Sequence, residues 1–95
     1  MDAGFGRMPP IGRRLPPPFR LRAVVVVPGE ALAFDEAEWR DALVVVEQGE
    51  IELECIGGSR ERFGRGDVLW LAGLPLRALG NPGLEPALLV AVSRR

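Results

Sequence analysis

The stretch from Glu50 to Cys55 places the tightest constraint on what this chain can become. Glu50, Glu52 and Glu54 alternate with Ile51, Leu53 and Cys55, so every second side chain is a carboxylate. A period of two puts the apolar set on one face and the acids on the other, which describes a β-strand with one face on a core and one in water. A β-branched run, Val44-Val45-Val46, precedes it, and a third apolar run, Val68 to Leu71, follows. Glycine-containing breaks at Gln48-Gly49, Gly57-Gly58 and Gly64-Arg65-Gly66 separate the β-type runs. A chain punctuated this way folds as short antiparallel strands.

The rest of the sequence continues that rhythm. Residues 1–18 hold five prolines and three glycines without periodicity and read as a disordered arm, extended where Pro16-Pro17-Pro18 meets the domain. Phe19–Val27 ends in four consecutive valines, the mark of a strand buried on both faces, and Pro28-Gly29 turns it. Glu30–Phe34 suits a short second strand. Asp35–Asp41 is acidic and too short for an amphipathic helix, so it reads as a loop or irregular strand. Val44–Glu47 and Glu50–Ile56 read as a hairpin about Gln48-Gly49, and Arg60–Phe63, Val68–Leu71, Leu76–Leu79 and Pro86–Val92 supply further strands. If Gly57-Gly58-Ser59 is a three-residue loop, Glu54 faces Arg62 and Leu53 faces Phe63. A two-residue loop would set Glu54 against Glu61, which is unfavourable. No segment sustains a helical repeat. The expectation is an all-β domain over residues 19–95, a small antiparallel sandwich or barrel.

Composition removes whole classes of chemistry. The 95 residues include no histidine, and all twelve basic residues are arginine. Serine–histidine and cysteine–histidine catalysis are excluded, and so are lysine Schiff bases. The single cysteine, Cys55, forms no internal disulfide and sits on the apolar side of its strand as a small hydrophobe. The lone thiol, with no apolar run long enough to span a membrane or to serve as a signal segment, gives the expectation of a cytoplasmic protein. Net charge is −1 but unevenly spread: residues 30–54 carry nine acids against Arg40, while residues 1–22 carry five arginines against Asp2. The arginines outside the arm form no basic stripe, so nucleic acid is not an expected partner.

The glycine spacing resembles that of the cupin superfamily, small jelly-roll β-barrels. Their second motif runs Gly, five residues, Pro-x-Gly, two residues, His, three residues, Asn. Laid on Gly66, it puts Ala72 at the proline, Leu74 at the glycine, Arg77 at the histidine and Asn81 at the asparagine. The first motif, two histidines one residue apart followed by a glutamate and a glycine, counts back from Gly49 to Ala42 at the glutamate. The histidine positions then fall on Glu36 and Glu38, or on Asp35 and Ala37 with the longer spacing. In cupins the three histidines and the glutamate bind a catalytic metal, and none of the four is present here.

On that resemblance Arg77 faces the barrel mouth, with Glu36 and Glu38 as its natural partners. It either grips an anionic small molecule or forms a structural ion pair. Trp70, inside a strand, is expected in the core or lining a pocket, and Trp39, among charges, at a pocket rim or subunit interface. The expected ligand-binding set is therefore Arg77, Glu36, Glu38, Trp39 and Trp70, with no catalytic residue, metal ligand or cofactor. A divalent ion ~5 Å from the guanidinium would be opposed by roughly 6–7 kcal/mol at an effective dielectric of about 20. The favoured function is a non-catalytic, metal-free cupin module that binds a small molecule or serves oligomerisation. The alternative is an enzyme holding a hard divalent metal through Glu36, Glu38 or Asp41 beside a small polar substrate. A folded part this small buries limited area of its own, so a homodimer is expected, with Phe19–Val27 contributing.

Overall fold

A computed structural model describes residues 19–94; the expected disordered arm, residues 1–18, lies outside them. Eight strands and one helical turn follow in order: β1 (Phe19–Val26), β2 (Ala31–Ala33), α1 (Glu36–Trp39), β3 (Ala42–Gln48), β4 (Glu50–Cys55), β5 (Arg60–Gly64), β6 (Val68–Trp70), β7 (Leu76–Gly80) and β8 (Ala87–Arg94). They form two four-stranded antiparallel sheets, ordered β1-β8-β3-β6 and β2-β7-β4-β5. The expected all-β jelly-roll architecture is what the chain adopts. Val44 and Val46 from the first sheet meet Ile51 and Leu79 from the second in the buried layer between them.

The hairpin expected at Gln48-Gly49 does not form: β3 pairs with β6 and β8, whereas β4 pairs with β5 and β7. The chain changes sheets at this point. A two-residue hairpin needs positive φ at its first central residue, but Gln48 keeps a negative φ and only Gly49 is positive, at 77°. Gly49 also lies against the start of β8, where an added Cβ would stand 2.8 Å from the Pro86 carbonyl oxygen and 2.9 Å from the Ala87 Cα. The corner needs a residue without a side chain.

The β4–β5 hairpin does form, in a register displaced by two residues from the expected one. Glu54 faces Arg60, Glu52 faces Arg62 and Ile51 faces Phe63. The loop is Ile56-Gly57-Gly58, closed by Gly58 N–H donating to the Cys55 carbonyl (2.9 Å) and Cys55 N–H donating to that of Ser59 (2.8 Å). A three-residue loop of this kind puts its last residue in the left-handed region. Gly58, with φ 98°, occupies that position, where the expected loop would have forced Ser59 into it. A shift of two preserves the faces, so acids still oppose arginines outside, while inside Ile51 replaces Leu53 opposite Phe63 and Leu53 comes to face Glu61.

Asp35–Asp41, expected as loop or irregular strand, holds the one-turn helix α1. Asp35 caps it: its Oδ1 accepts from Ala37 N–H at 3.1 Å and its carbonyl from Glu38 N–H at 3.0 Å. The turn lets Trp39 reach the core.

The outer faces of the two sheets differ. On the second, Glu52 and Glu54 stand beside Arg62 and Arg60. On the first, register aligns Leu21, Val92, Leu43 and Trp70 in one row and Ala23, Val90, Val45 and Val68 in the next. The strand expected to be buried on both faces is thus covered on one only: Val26 is fully buried, while Val25 is 56% exposed.

Candidate functional site

A cavity of about 340 Å³ opens beside strands β4, β5 and β6. Alternation brings Leu53 of β4, Phe63 of β5 and Leu69 of β6 to its walls, and Leu71 and Leu76 complete them from the connection between β6 and β7. Leu53, Leu69, Leu71 and Leu76 belong to the core and Phe63 packs against it, while the exposed Val68, Trp70 and Leu74 complete the lining where the hollow opens to solvent. Cys55, Ser59 and Glu61 also line it, from the inner face of the β4–β5 hairpin. Arg60 and Trp70, both exposed, stand at its rim. Apolar walls with a few polar groups on one side suit a small molecule that is mostly hydrocarbon, oriented by a hydrogen bond or charge at one end.

The expected ligand-binding residues are not brought together here. Arg77 lies on the outer face of the second sheet, where Nη2 donates to the Ile56 carbonyl at 3.0 Å and Nε stands 4.0 Å from Glu54 Oε2. The cause is a β-bulge. Glu54 pairs with Ala78 and Cys55 with Leu76, so Arg77 is the extra residue between them. The bulge keeps both Leu76 and Leu79 buried while turning Arg77 to solvent. Its expected pairing with Glu36 or Glu38 is therefore corrected: Glu38 pairs with Arg22 at 3.0 Å, and Glu36 is an exposed residue of the first turn of α1.

Of the two tryptophans, Trp39 departs from its expected place, and Trp70 takes the pocket-lining one of its two expected places. Trp39, expected at a rim or interface, is 3% exposed, and Trp70, expected in the core or a pocket wall, is 53% exposed at the cavity rim. Leu69 and Leu71 hold the inward positions of β6 and its continuation, which leaves Trp70 outward. Trp39 is drawn in by the capped turn and covered by Arg22, whose guanidinium carbon lies 4.7 Å from the ring centroid. Arg22 also donates to the Glu38 carbonyl at 2.9 Å, tying α1 to β1. The signal for Arg22 was in the sequence: strand parity sets Arg22 on the same face as Val24 and Val26, the inward one.

Asn81 is the one buried polar side chain among the described residues. Its Nδ2 donates to the carbonyls of Val26 (2.8 Å) and Glu85 (2.7 Å), and its Oδ1 accepts from Gly83 N–H (2.8 Å). The asparagine of the second cupin-like motif is thus a clasp between the end of β7 and the end of β1.

The residues at the cupin metal positions do not suit a metal. Ala42 offers a buried methyl group, Arg77 is a cation turned outward, and Glu36 and Glu38 lie on an exposed turn. Among the described residues no group of three His, Cys, Asp or Glu side chains is placed to hold an ion. No helix among them is long and apolar enough to cross a membrane.

Neither a family model nor a curated protein matches the sequence. Solved structures do. A cupin 2 conserved barrel domain protein from Salinispora arenicola CNS-205 superposes with a TM-score of 0.66 at 26% identity, over 86% of this chain and 67% of that one. The Cupin_2 domain of an XRE family transcriptional regulator from Enterobacter cloacae gives 0.58 at 18% identity, over 82% of each chain. Ectoine synthase from P. lautus gives 0.59 at 21% identity over 82% of this chain, which spans about half (54%) of that enzyme. With its jelly-roll sheets, its corner at Gly49 and these neighbours, the chain belongs to the cupin superfamily.

Proposed function

We propose that this domain is a metal-independent cupin module that receives a small, largely apolar molecule in the cavity beside β4, β5 and β6. The observation that carries the reading is the wall composition of that cavity, in which Leu53, Phe63, Leu71 and Leu76 surround a space of about 340 Å³. Such a volume accommodates a molecule of roughly ten to twenty heavy atoms. Ser59, Arg60 and Glu61 supply the polar end, so a ligand with a hydrogen-bonding group such as a hydroxyl at one tip fits, held without Arg77. One neighbour in fold belongs to a transcriptional regulator and another is a synthase, so the fold serves both regulation and catalysis and the choice rests on the site. Here the site has walls for binding and no paired acid and base for turnover. The free Cys55 thiol on the wall supports assignment to a reducing compartment such as the cytoplasm.

Titration with indole and with medium-chain alcohols tests this directly. The expected result is a dissociation constant on the order of 10–100 μM, with amide NMR shifts centred on Leu53, Phe63 and Leu76. Leu76→Trp, which fills the space, should abolish those shifts. Shifts scattered over the outer faces, or near-stoichiometric transition metal retained on purification, would count against the reading.

A further inference from the structure

We infer that the molecule taken by the cavity is an amine, a cationic amphiphile whose ammonium group the carboxylate of Glu61 holds at the mouth. The assignment rests on the cavity being a ligand site, as proposed above, and adds the charge of the ligand. Register sets Leu53 opposite Glu61 and Ile51 opposite Phe63, and residues opposite one another share a face of the sheet. Ile51 and Leu53 are buried in the core, so Glu61 stands at an inward position of β5, two residues before Phe63. The other inward positions of β4, β5 and β6 hold Ile51, Leu53, Cys55, Phe63 and Leu69. One carboxylate thus interrupts an apolar face where that face opens to solvent.

Two observations select a cation. The first is the state of the charges around the mouth. Among the described residues the Glu61 carboxylate has no ion pair or hydrogen-bond partner. The three arginines of this sheet are engaged elsewhere, Arg62 by Glu52 and both Arg60 and Arg77 by Glu54. Those pairs lie on the outer face, because Glu52 and Glu54 alternate with the inward residues of β4. Arg60 also lines the cavity, but its guanidinium stands 3.8 Å from Glu54 Oε2. An anion would have to draw Arg60 from that carboxylate and then lie beside a second one at Glu61. A cation meets Glu61 directly, and its apolar body takes the leucine walls. The second observation is Trp70. Its indole lines the same hollow and is 53% exposed, and an indole face is the best aromatic surface for an ammonium group.

Titration of the full chain at low salt with octylamine, octanol and octanoate, which share one hydrocarbon chain and differ in the charge of the tip, is the test. Octylamine should bind about 10-fold more tightly than octanol, because a charge-assisted hydrogen bond is roughly twice as strong as a neutral one. Octanoate should bind more weakly than either. The advantage of the amine should narrow in about 0.5 M salt, since Glu61 is exposed at the mouth. Glu61→Gln should bring octylamine to the level of octanol, and Glu61→Lys should place octanoate first. Glu52→Gln, on the outer face of the same hairpin, should keep the order of the unaltered chain. Octanol bound in the cavity with octylamine no tighter overturns the inference and leaves the ligand site standing, whereas no binding by any of the three overturns both. An amine preference that persists in Glu61→Gln overturns it as well. So does octanoate bound tightest by the unaltered chain, which would make Arg60 the charged group of the site.

Discussion

The two sheets share one buried layer and differ on their outer faces. On the β2-β7-β4-β5 sheet, Arg62 Nε stands 3.2 Å from Glu52 Oε2, Arg60 stands 3.8 Å from Glu54, and Arg77 adds a third cation to the same network. On the β1-β8-β3-β6 sheet, the corresponding positions are leucine, valine, alanine and tryptophan. Both satisfy the same internal requirement, since Val44 and Val46 are as buried as Ile51. The contrast separates what the fold needs from what the surroundings need. A core facing inward demands alternation on neither sheet; water facing outward demands it on one. Where alternation is missing, the outer face is prepared for something other than water.

The largest effects are expected where the two sheets are joined. Asn81→Ala removes the side-chain donor to two carbonyls and the acceptor of one N–H, at the link between β7 and β1. A loss of about 3 kcal/mol is expected, or roughly 10–20 °C in Tm for a domain of this size. Asn81→Asp retains the acceptor for Gly83 but sets a carboxylate against two carbonyl oxygens, and it should be no better than alanine. Next is Gly49→Ala. Its φ of 77° and the 2.8 Å approach to Pro86 O act together, because the atoms it would meet are backbone. The expected cost is roughly 2–3 kcal/mol. Gly66→Ala makes the informative control: φ is 92° there but nothing lies within 4 Å, so only the backbone term remains, about 1 kcal/mol. Chemical denaturation of the three variants measures all of this. Equal losses at Gly49 and Gly66 would show that the corner is not a tight contact between sheets.

The charged face was easier to read from sequence than the apolar one. The Glu50–Cys55 alternation fixes which side chains are outside whatever the partner strands are, so the ion pairs survived a loop placed one residue off and a register displaced by two. The valine runs carry no such internal reference. Val24–Val27 states that both faces avoid water but not what covers each, and β1 proves open on one side. Connectivity was hidden for a related reason. Gln48-Gly49 has the composition of a hairpin, and only the approach of β8, far away in sequence, turns it into a corner between sheets. The candidate site was hidden further still. Arg77 was placed by counting along a motif, and one bulged residue moved it from the barrel mouth to the outer surface. The cavity arises where Leu53, Phe63 and Leu71 fail to fill a space, and no local pattern encodes a space left unfilled. The polarity of its neighbours points Trp39 to a rim, whereas the turn capped by Asp35 carries it into the core; for Trp70, strand parity decides between core and pocket lining.

A middle-sized effect is expected at the edge of the first sheet, where Arg22 is its one charged group with a defined task. Arg22→Ala removes the ring contact with Trp39, the ion pair with Glu38 and the hydrogen bond to its carbonyl. Because Arg22 is partly exposed, the expected loss is about 1–2 kcal/mol. Arg22→Met keeps an apolar cover over the indole and should recover part of it. Tryptophan fluorescence separates the two contributions: a red shift in Arg22→Ala that is smaller in Arg22→Met assigns the effect to covering the ring. Identical spectra would assign it to the tie between β1 and α1.

The smallest effect is expected on the charged face itself, and it is the sharpest check on the contrast between the sheets. Arg62 is well exposed and Glu52 half-buried, and their 3.2 Å contact is a cross-strand pair with water on one side. Such pairs contribute about 0.2–1 kcal/mol, less at high salt, because ordering two long side chains offsets most of the attraction. Glu52→Gln should therefore cost no more than about 0.5 kcal/mol, and the difference should shrink in 1 M salt. Arg62→Glu sets two carboxylates side by side and should cost about 1 kcal/mol more than Glu52→Gln. The double variant, with glutamate at 62 and arginine at 52, should recover most of that loss, because the geometry of the pair is nearly symmetrical across the ladder. A recovered double variant would establish that this face is held by solvated charge pairs whose members are exchangeable. If the exchange fails while neither single variant responds to salt, Glu52 is packed by its stem rather than held by its charge, and the two outer faces are closer in kind than their sequences suggest.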